Sequence, residues 1–255
     1  MIKKYFIPSD KNKIYLELNY PKNIKLPASA VVIAHGLRSY YPGFLDIFAK
    51  AIRQAGYISV KFHYVGTGKS SGKFEHKSTT TMLKNYKDIL NFLKKHADIK
   101  NLGIMARSNS ANLATLAGPD PRIKAYVFLA PPAFYSLNMG KFVTESKIKS
   151  NYFYHKSFKR PHTNGPGRLP LGYMRNLKKY DQPLLKNISK MKPVIFFQST
   201  EDEAVPIAEG HYDYWLKHLP NPKKMVLIKG GNHSYKGHKK YVIDTGVRWL
   251  RKYLK

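Results

Sequence analysis

The segment LGIMARSNSANLATL, residues 102–116, changes character halfway along. Residues 102–106 form a short apolar run, which is typical of a strand buried in a sheet. Residues 109–116 carry apolar side chains at the spacing of a short helix. The segment therefore predicts a strand, a tight turn that carries Ser108, and a helix.

Ser108 stands where a nucleophile elbow would place its serine. In that motif a sharp turn between strand and helix carries the nucleophile, and small residues two positions before and after it let the backbones approach. Ala106 and Ser110 occupy those positions, and both are small, although glycine is the usual residue there. A serine at such a junction also commonly caps the helix that follows, so the segment alone leaves both interpretations open.

Strand and helix patterns alternate along most of the chain. Short apolar runs predict further strands at residues 31–34, 57–64, 123–130, 194–197 and 225–228. Apolar residues at helical spacing predict helices at residues 44–55, 79–96, 207–219 and 239–254. This alternation predicts an α/β fold with a mostly parallel central sheet, helices on both faces and right-handed crossovers.

The N-terminal region follows a different pattern. Residues 13–20 alternate apolar and polar side chains with the period of a half-buried strand. Residues 5–7 precede them across the turn-forming residues 9–12. We therefore expect a hairpin before the parallel part of the sheet begins.

Residues 133–190 interrupt the alternation, because aromatic side chains are set among many lysines and no clear strand pattern is present. We predict an α/β core of residues 1–132 and 191–255 and a cap or lid insertion of residues 133–190. The aromatic side chains could shape an acyl pocket under such a cap. Two other interpretations stay open: an irregular layer that only covers the sheet, and a surface on which single-stranded nucleic acid stacks.

The chain is strongly basic, with 45 basic and 15 acidic residues and a net charge of +30. Such a surface attracts polyanions whatever the fold, so nonspecific binding to them is expected. Lysines outnumber arginines 36 to nine. This favours diffuse attraction over sequence-specific recognition, because arginine is the usual bidentate partner of phosphates and bases. A general composition bias that leaves a solvated basic surface also explains the charge.

The absence of cysteine excludes disulfides, thiolate catalysis and cysteine-ligated metal sites. No apolar run approaches the roughly 18 to 20 residues that a membrane span needs, and residues 1–8 lack the hydrophobic core of a signal peptide. We therefore expect a soluble, cytoplasmic protein. Its oligomeric state is left open by the sequence.

Two further residues follow predicted strands. Asp202 comes shortly after residues 194–197, and His233 lies in a glycine-containing loop after residues 225–228. Taken alone, Asp202 could belong to a solvated acidic loop, and one histidine among ten carries little weight. Together with Ser108, however, they give the chain order Ser, Asp, His, each behind a strand, which indicates a catalytic triad.

At this point the sequence resembles the α/β-hydrolase superfamily over nearly its whole length. His35-Gly36, behind the strand at residues 31–34, looks like that family's oxyanion loop. Residues 62–72 are similar to the loop that many members carry after the next strand, although Val65 stands where arginine is frequent. The spacing of residues 202–206 and the Gly-x-x-His motif ending at His233 also resemble the family's acid and base loops.

The resemblance implies a role for each matching position. Ser108 would be the nucleophile, His233 the general base and then acid, and Asp202 the group that orients the imidazole. The backbone N–H groups of Leu37 and Asn109 would form the oxyanion hole. No metal and no organic cofactor would be needed.

The implied activity is that of a serine hydrolase, in the group of small esterases, monoacylglycerol lipase-like enzymes and acylaminopeptidase-like proteins. We expect a small-molecule carboxylic ester with a short or medium acyl chain as substrate, cleaved through an acyl-enzyme. The same groups could cleave an amide or peptide. A protein of this fold without catalytic activity, binding RNA or an anionic surface through its charge, is the alternative from another class.

Two weaker motifs do not change this interpretation. Residues 66–70, GTGKS, lack the full spacing of a phosphate-binding P-loop. Four C-terminal histidines occupy mixed helix and loop positions without a recognisable metal-ligand spacing; they are His211, His218, His233 and His238.

Overall fold

An eight-stranded sheet lies at the centre of the protein. The structure, a computed structural model, describes residues 1–37, 43–133, 147–149, 152–154, 169–174 and 177–255. The strands in this part of the chain are β1 (Ile2–Ser9), β2 (Asn12–Asn19), β3 (Ala28–Ala34), β4 (Ile58–Phe62), β5 (Ile99–Arg107), β6 (Ile123–Leu129), β7 (Lys147–Lys149), β8 (Tyr152–Tyr154), β9 (Leu169–Pro170), β10 (Val194–Ser199) and β11 (Lys223–Ile228). The helices are α1 (Phe44–Gln54), α2 (Thr79–Lys95), α3 (Asn109–Leu116), α4 (Leu171–Met174), α5 (Asp181–Ile188), α6 (His211–His218) and α7 (Lys239–Tyr253).

The strand order of the main sheet is β1-β2-β4-β3-β5-β6-β10-β11. The predicted N-terminal hairpin is present: β1 and β2 pair antiparallel, and β2 is also antiparallel to β4. All remaining pairs in this sheet are parallel. The expected α/β fold with a mostly parallel sheet is therefore confirmed.

The sheet is buried on both faces because its parallel strands carry apolar residues at successive positions. All seven residues of β3 are buried. Within β3 the side chains alternate: Val32 packs in the cluster that includes Tyr86 of α2, and Val31 packs in the opposite cluster with Phe48 of α1. Helices α2 and α3 thus cover one face, and α1 and α7 cover the other.

The parallel strands end nearly level with one another. Ala34 of β3 pairs with Ala106 of β5, and Leu129 of β6 pairs with both Arg107 of β5 and Phe197 of β10. The loops that leave these strands therefore emerge at one edge of the sheet. In open α/β sheets, ligands bind at this carboxyl edge.

The predicted helix at residues 207–219 is interrupted. A 3-10 turn spans Ile207–Glu209, and α6 begins only at His211, because Gly210 between them has a left-handed backbone with φ of 73°. Helices α1, α2, α3 and α7 end within about two residues of the prediction, whereas α4 and α5 lie in residues 133–190, where no helix was predicted.

Three short strands lie within residues 133–190, where the sequence shows no clear strand pattern. Strands β7, β8 and β9 form a small separate sheet. They are two or three residues long, which is too short for a period of two to stand out in the sequence.

The last part of the predicted insertion packs on the main core. Tyr173, Tyr180, Leu184 and Ile188 are buried in the same cluster as α2 and α3. The division into a core and a cap over residues 133–190 stays a prediction.

None of the helices in the described part of the chain has the length and apolar character needed to cross a membrane.

Candidate active site

Ser108 lies in a strained turn between β5 and α3. Its backbone angles are φ 53° and ψ −130°, a region that residues other than glycine rarely occupy. The Ser108 N–H donates to Leu129 O at 2.7 Å, and Ala111 N–H donates to Ser108 O at 2.9 Å. The predicted sharp turn is present, and backbone strain of this kind is concentrated at functional sites.

Ala106 and Ser110, the small residues beside this turn, are buried, and the Ser110 hydroxyl also forms hydrogen bonds. Its hydroxyl donates to His35 O at 2.5 Å, so the hydroxyl of Tyr64, 2.8 Å away, donates to Ser110 Oγ. A glycine at this position could make neither bond. Ser110 therefore ties the Ser108 turn to the loop of residues 35–37, called the His35 loop below.

The His35 loop is held by its carbonyl oxygens. His35 Nδ1 lies 2.8 Å from Gly36 O, and Tyr64 N–H points at His35 Nε2 over 3.4 Å, so the ring is the neutral form with its proton on Nδ1. Burial, followed by the nearby charge of Lys77, holds the pKa of His35 well below its ordinary value. In addition, Lys77 Nζ donates to Leu37 O at 2.8 Å.

These bonds set the direction of one predicted oxyanion donor. Gly36 C=O and Leu37 N–H belong to the same planar trans peptide, so they point in opposite directions. When His35 holds Gly36 O, it also fixes the direction of Leu37 N–H. This is the preorganisation that an oxyanion donor requires.

Asp202 and His233 meet as the sequence predicts. His233 Nδ1 lies 2.9 Å from each carboxylate oxygen of Asp202. The Asp202 side chain is fully buried, and its Oδ1 also accepts the N–H groups of Ala204 and Val205 at 2.9 and 2.8 Å. Burial acts to raise the pKa of Asp202, but His233 and the two N–H groups outweigh it and lower that pKa below its usual value. Asp202 is therefore a carboxylate at neutral pH.

The loop of residues 229–234, called the His233 loop, has its own supports. His233 N–H donates to Glu203 Oε2 at 3.1 Å. The guanidinium of Arg107 donates to His233 O and to Ser234 Oγ, both at 3.1 Å. Arg107 directly precedes Ser108 and is buried. It thus joins the Ser108 turn to the His233 loop, a role that its position in an apolar strand could have indicated.

Ser108, Asp202 and His233 all lie behind parallel strands at the same edge of the sheet. Ser108 and His233 both lie in the described part of the chain, and the structure has no hydrogen bond between Ser108 Oγ and His233 Nε2. Catalytic hydrogen bonds are often long or poorly aligned without substrate and tighten when it binds. Arg107 connects the two loops across this gap.

His211 and the loop of residues 66–70 have partners of their own. His211 accepts Ala133 N–H at Nδ1 and contacts Glu209 through Nε2. In the loop, Lys69 N–H donates to His63 Nδ1 at 2.8 Å, and Ser70 Oγ donates to His63 O. The loop is therefore organised around a buried imidazole. Within the described residues, no group of three or more His, Asp or Glu side chains could hold a metal ion.

His63 makes the stability of the protein depend on pH. Burial, reinforced by Lys61 and Lys69 and opposed by Glu17, lowers the pKa of His63 to about 4. In the unfolded chain the ring takes up its proton near pH 6.5, so between pH 6.5 and 4 only the unfolded chain is protonated there. We expect the free energy of unfolding to fall as the pH drops through this window.

Urea denaturation at pH 7 and pH 5 measures the effect. Replacing His63 by Asn keeps an acceptor for Lys69 N–H. We expect the decrease in the free energy of unfolding between pH 7 and pH 5 to become smaller by about 1 kcal/mol, which is less than the full linkage value because solvent screening reduces it. The control His76→Asn changes an exposed histidine and should leave the loss as it is. Equal losses in wild type and His63→Asn would contradict the prediction.

Sequence and structure comparisons place the chain among known hydrolases. Residues 25–185 match the family model described as serine aminopeptidase, S33. None of the curated protein sequences matches the chain.

Several solved structures are similar over almost the full length. Est1E from Butyrivibrio proteoclasticus with ferulic acid bound has a TM-score of 0.79 and 20% identity, covering 98% of each chain. The α/β hydrolase GrgF from Penicillium sp. sh18 has a TM-score of 0.78 and 13% identity, over 100% of this chain and 98% of that one. The esterase domain of a Rhodothermus marinus protein has a TM-score of 0.73 and 16% identity over 100% of both. At these identities the likeness shows the shared α/β-hydrolase fold.

Proposed function

The chain belongs to the α/β-hydrolase family described as serine aminopeptidase, S33, and on that premise we propose that it is a serine hydrolase that cleaves carboxylic esters. The observation that carries the proposal is the buried Asp202 carboxylate on His233 Nδ1, at the same sheet edge as a strained Ser108. Serine is a weak nucleophile at neutral pH and needs an adjacent base. This arrangement supplies the base and its orienting carboxylate.

In the proposed reaction, Ser108 Oγ attacks the ester carbonyl while His233 Nε2 takes the serine proton. The carbonyl oxygen becomes an oxyanion, which accepts hydrogen bonds from the N–H groups of Leu37 and Asn109. His233 then passes the proton to the departing alcohol, which leaves an acyl group on Ser108. Water, activated by the same imidazole, hydrolyses this acyl-enzyme and restores the serine.

Asp202 acts through the imidazole. Because it accepts the proton of Nδ1, it leaves Nε2 as the free base that can take the Ser108 proton, and it stabilises the imidazolium that forms in each step. Its own proton affinity stays low because two backbone N–H groups and His233 stabilise the carboxylate. Asp202 therefore stays ionised while His233 cycles.

The surroundings of His233 favour an ester over an amino-terminal peptide bond. An aminopeptidase must bind the positively charged amino terminus of its substrate, for which an available carboxylate is the natural partner. Among the described acidic residues near the candidate site, Asp202 and Glu203 both bind His233 and Glu209 contacts His211, while Glu201 is exposed to solvent. A net charge of +30 also repels cationic substrates. The names of two similar structures, an esterase domain and a protein with ferulic acid bound, support the same choice.

A panel of substrates tests the proposal. We expect the purified protein to hydrolyse p-nitrophenyl acetate, butyrate or octanoate, and to cleave alanine and leucine p-nitroanilide at least about 100-fold more slowly. Fluorophosphonate should label a single serine, identified by mass spectrometry. Faster cleavage of the anilides than of every ester would replace the ester proposal by the amide alternative.

The same protein sample tests the alternative that does not involve catalysis. A chain that neither labels with fluorophosphonate nor hydrolyses any of these substrates, but binds RNA or anionic vesicles with a steep salt dependence, would be a polyanion-binding member of the fold. Salt-dependent binding by an active enzyme would instead be a second property of its basic surface.

A further inference from the structure

Lys77 is a fully buried lysine beside the candidate oxyanion hole. It follows the 3-10 turn at Phe74–His76 and precedes Ser78, which caps α2. Only 2% of the residue is exposed to solvent. Lysine is almost never buried to this extent unless its charge has partners. The contacts of the Lys77 ammonium group should therefore explain why it is buried here.

The ammonium of Lys77 contacts the His35 loop directly. Nζ donates to Leu37 O at 2.8 Å and lies 5.8 Å from the centre of the Tyr64 ring and 5.5 Å from that of Phe74. Aromatic faces at such distances favour a cation. Tyr64 in turn donates to Ser110, so the group that flanks the ammonium also belongs to the network that ties the His35 loop to the Ser108 turn.

The charge of Lys77 acts on the loop as well as its hydrogen bond. Water screens an exposed lysine, whereas a buried one keeps much of its field over several ångströms. The lowered pKa of His35, to which Lys77 contributes, is consistent with such a field. An oxyanion that forms on Leu37 N–H would experience the same positive potential.

We propose that Lys77 is a positioning residue for ester hydrolysis, which holds the His35 loop through Leu37 O and stabilises the oxyanion by its buried positive charge. The inference rests on the proposed function, because it needs an oxyanion at this place. The neutral ester gains little from a nearby cation, whereas the anionic tetrahedral intermediate gains much. Lys77 should therefore act on kcat and leave KM nearly unchanged.

The test compares Lys77→Met with the control Lys73→Met. Both variants remove one lysine charge from the same segment, but Lys73 is exposed, so the control measures the effect of net charge alone. For p-nitrophenyl butyrate we expect Lys77→Met to lower kcat about 10- to 100-fold with KM within threefold of wild type. Lys73→Met should keep both constants within twofold.

Inhibition by butylboronic acid measures oxyanion stabilisation separately. The boron accepts a lone pair of Ser108 Oγ, the serine proton passes to His233, and the tetrahedral adduct carries a negative charge like that of the intermediate. Lys77→Met should weaken this inhibitor about 10- to 100-fold, in parallel with kcat. A purely structural role of Lys77 would not shift the inhibitor and kcat together while sparing KM.

Circular dichroism melts establish that each variant is folded. If Lys77→Met does not fold, Lys77→Gln, which keeps a donor for Leu37 O and loses the charge, takes its place with the same expected direction. A folded variant with kcat and boronic acid affinity within threefold of wild type overturns the proposal for Lys77 alone. A wild-type protein that fails to label at Ser108 overturns the proposed function, and the role of Lys77 with it.

Discussion

We expect Ser108→Ala to lower kcat/KM for p-nitrophenyl butyrate by roughly 10,000- to 1,000,000-fold and to abolish fluorophosphonate labelling. The reason is chemical, since the variant has no atom that can form the acyl-enzyme, and the remaining oxyanion donors support only slow attack by water. Because alanine also fits the turn sterically better than a larger residue would, the variant should stay folded. Stopped-flow or spectrophotometric assays and intact-protein mass spectrometry measure the two outcomes.

Two neighbouring hydroxyls provide the matched controls. Ser110 lies two residues along the chain, and Ser234 follows His233 and accepts from Arg107. Ser110→Ala and Ser234→Ala should both keep the fluorophosphonate label, although Ser110→Ala should lose some activity because it frees His35 O. Retained labelling in Ser108→Ala, or its loss in Ser234→Ala, would assign the nucleophile to another serine.

Most of the sheet could be predicted from the sequence because buried parallel strands contain runs of consecutive apolar residues. Residues 31–34, 102–106 and 194–197 carry that signal and lie within β3, β5 and β10. The ends were less well defined, since residues 99–101 extend β5 through a lysine and an asparagine that no apolar run would include. Strand ends depend on pairing with neighbours, which a single segment does not contain.

The contact between Asp202 and His233 could also be predicted, because both follow parallel strands and such strands end at one edge. The supports of the site could not. Arg107, Lys77 and Ser110 are polar residues whose importance comes from burial, and in a chain with 45 basic residues a buried lysine looks like any solvated one. Burial is set by tertiary packing, which the sequence does not show directly. Only Arg107 could have been noticed, because it is a polar residue in an otherwise apolar strand.

Replacing Asp202 by Asn should lower kcat about 10,000-fold at neutral pH and leave the protein folded. His233 Nδ1 is 2.9 Å from both oxygens of Asp202, but only Oδ1 also accepts backbone N–H groups, and this difference determines how the amide would sit. Oδ1 accepts the N–H groups of Ala204 and Val205, so the Asn oxygen should remain there and its NH₂ should face His233. The imidazole must then accept at Nδ1 and carry its proton on Nε2, where it can no longer take the proton of Ser108.

Glu201→Gln is the control for this loss, because it removes the same charge one residue away from an exposed position. We expect it to change kcat by less than threefold, since screening weakens the effect of an exposed carboxylate on the site. Similar losses in Asp202→Asn and Glu201→Gln would show that negative charge near the His233 loop matters and that orientation of the imidazole does not. A large loss in Asp202→Asn alone would instead show that activity depends on which ring nitrogen of His233 carries the proton, which the Asp202 side chain determines.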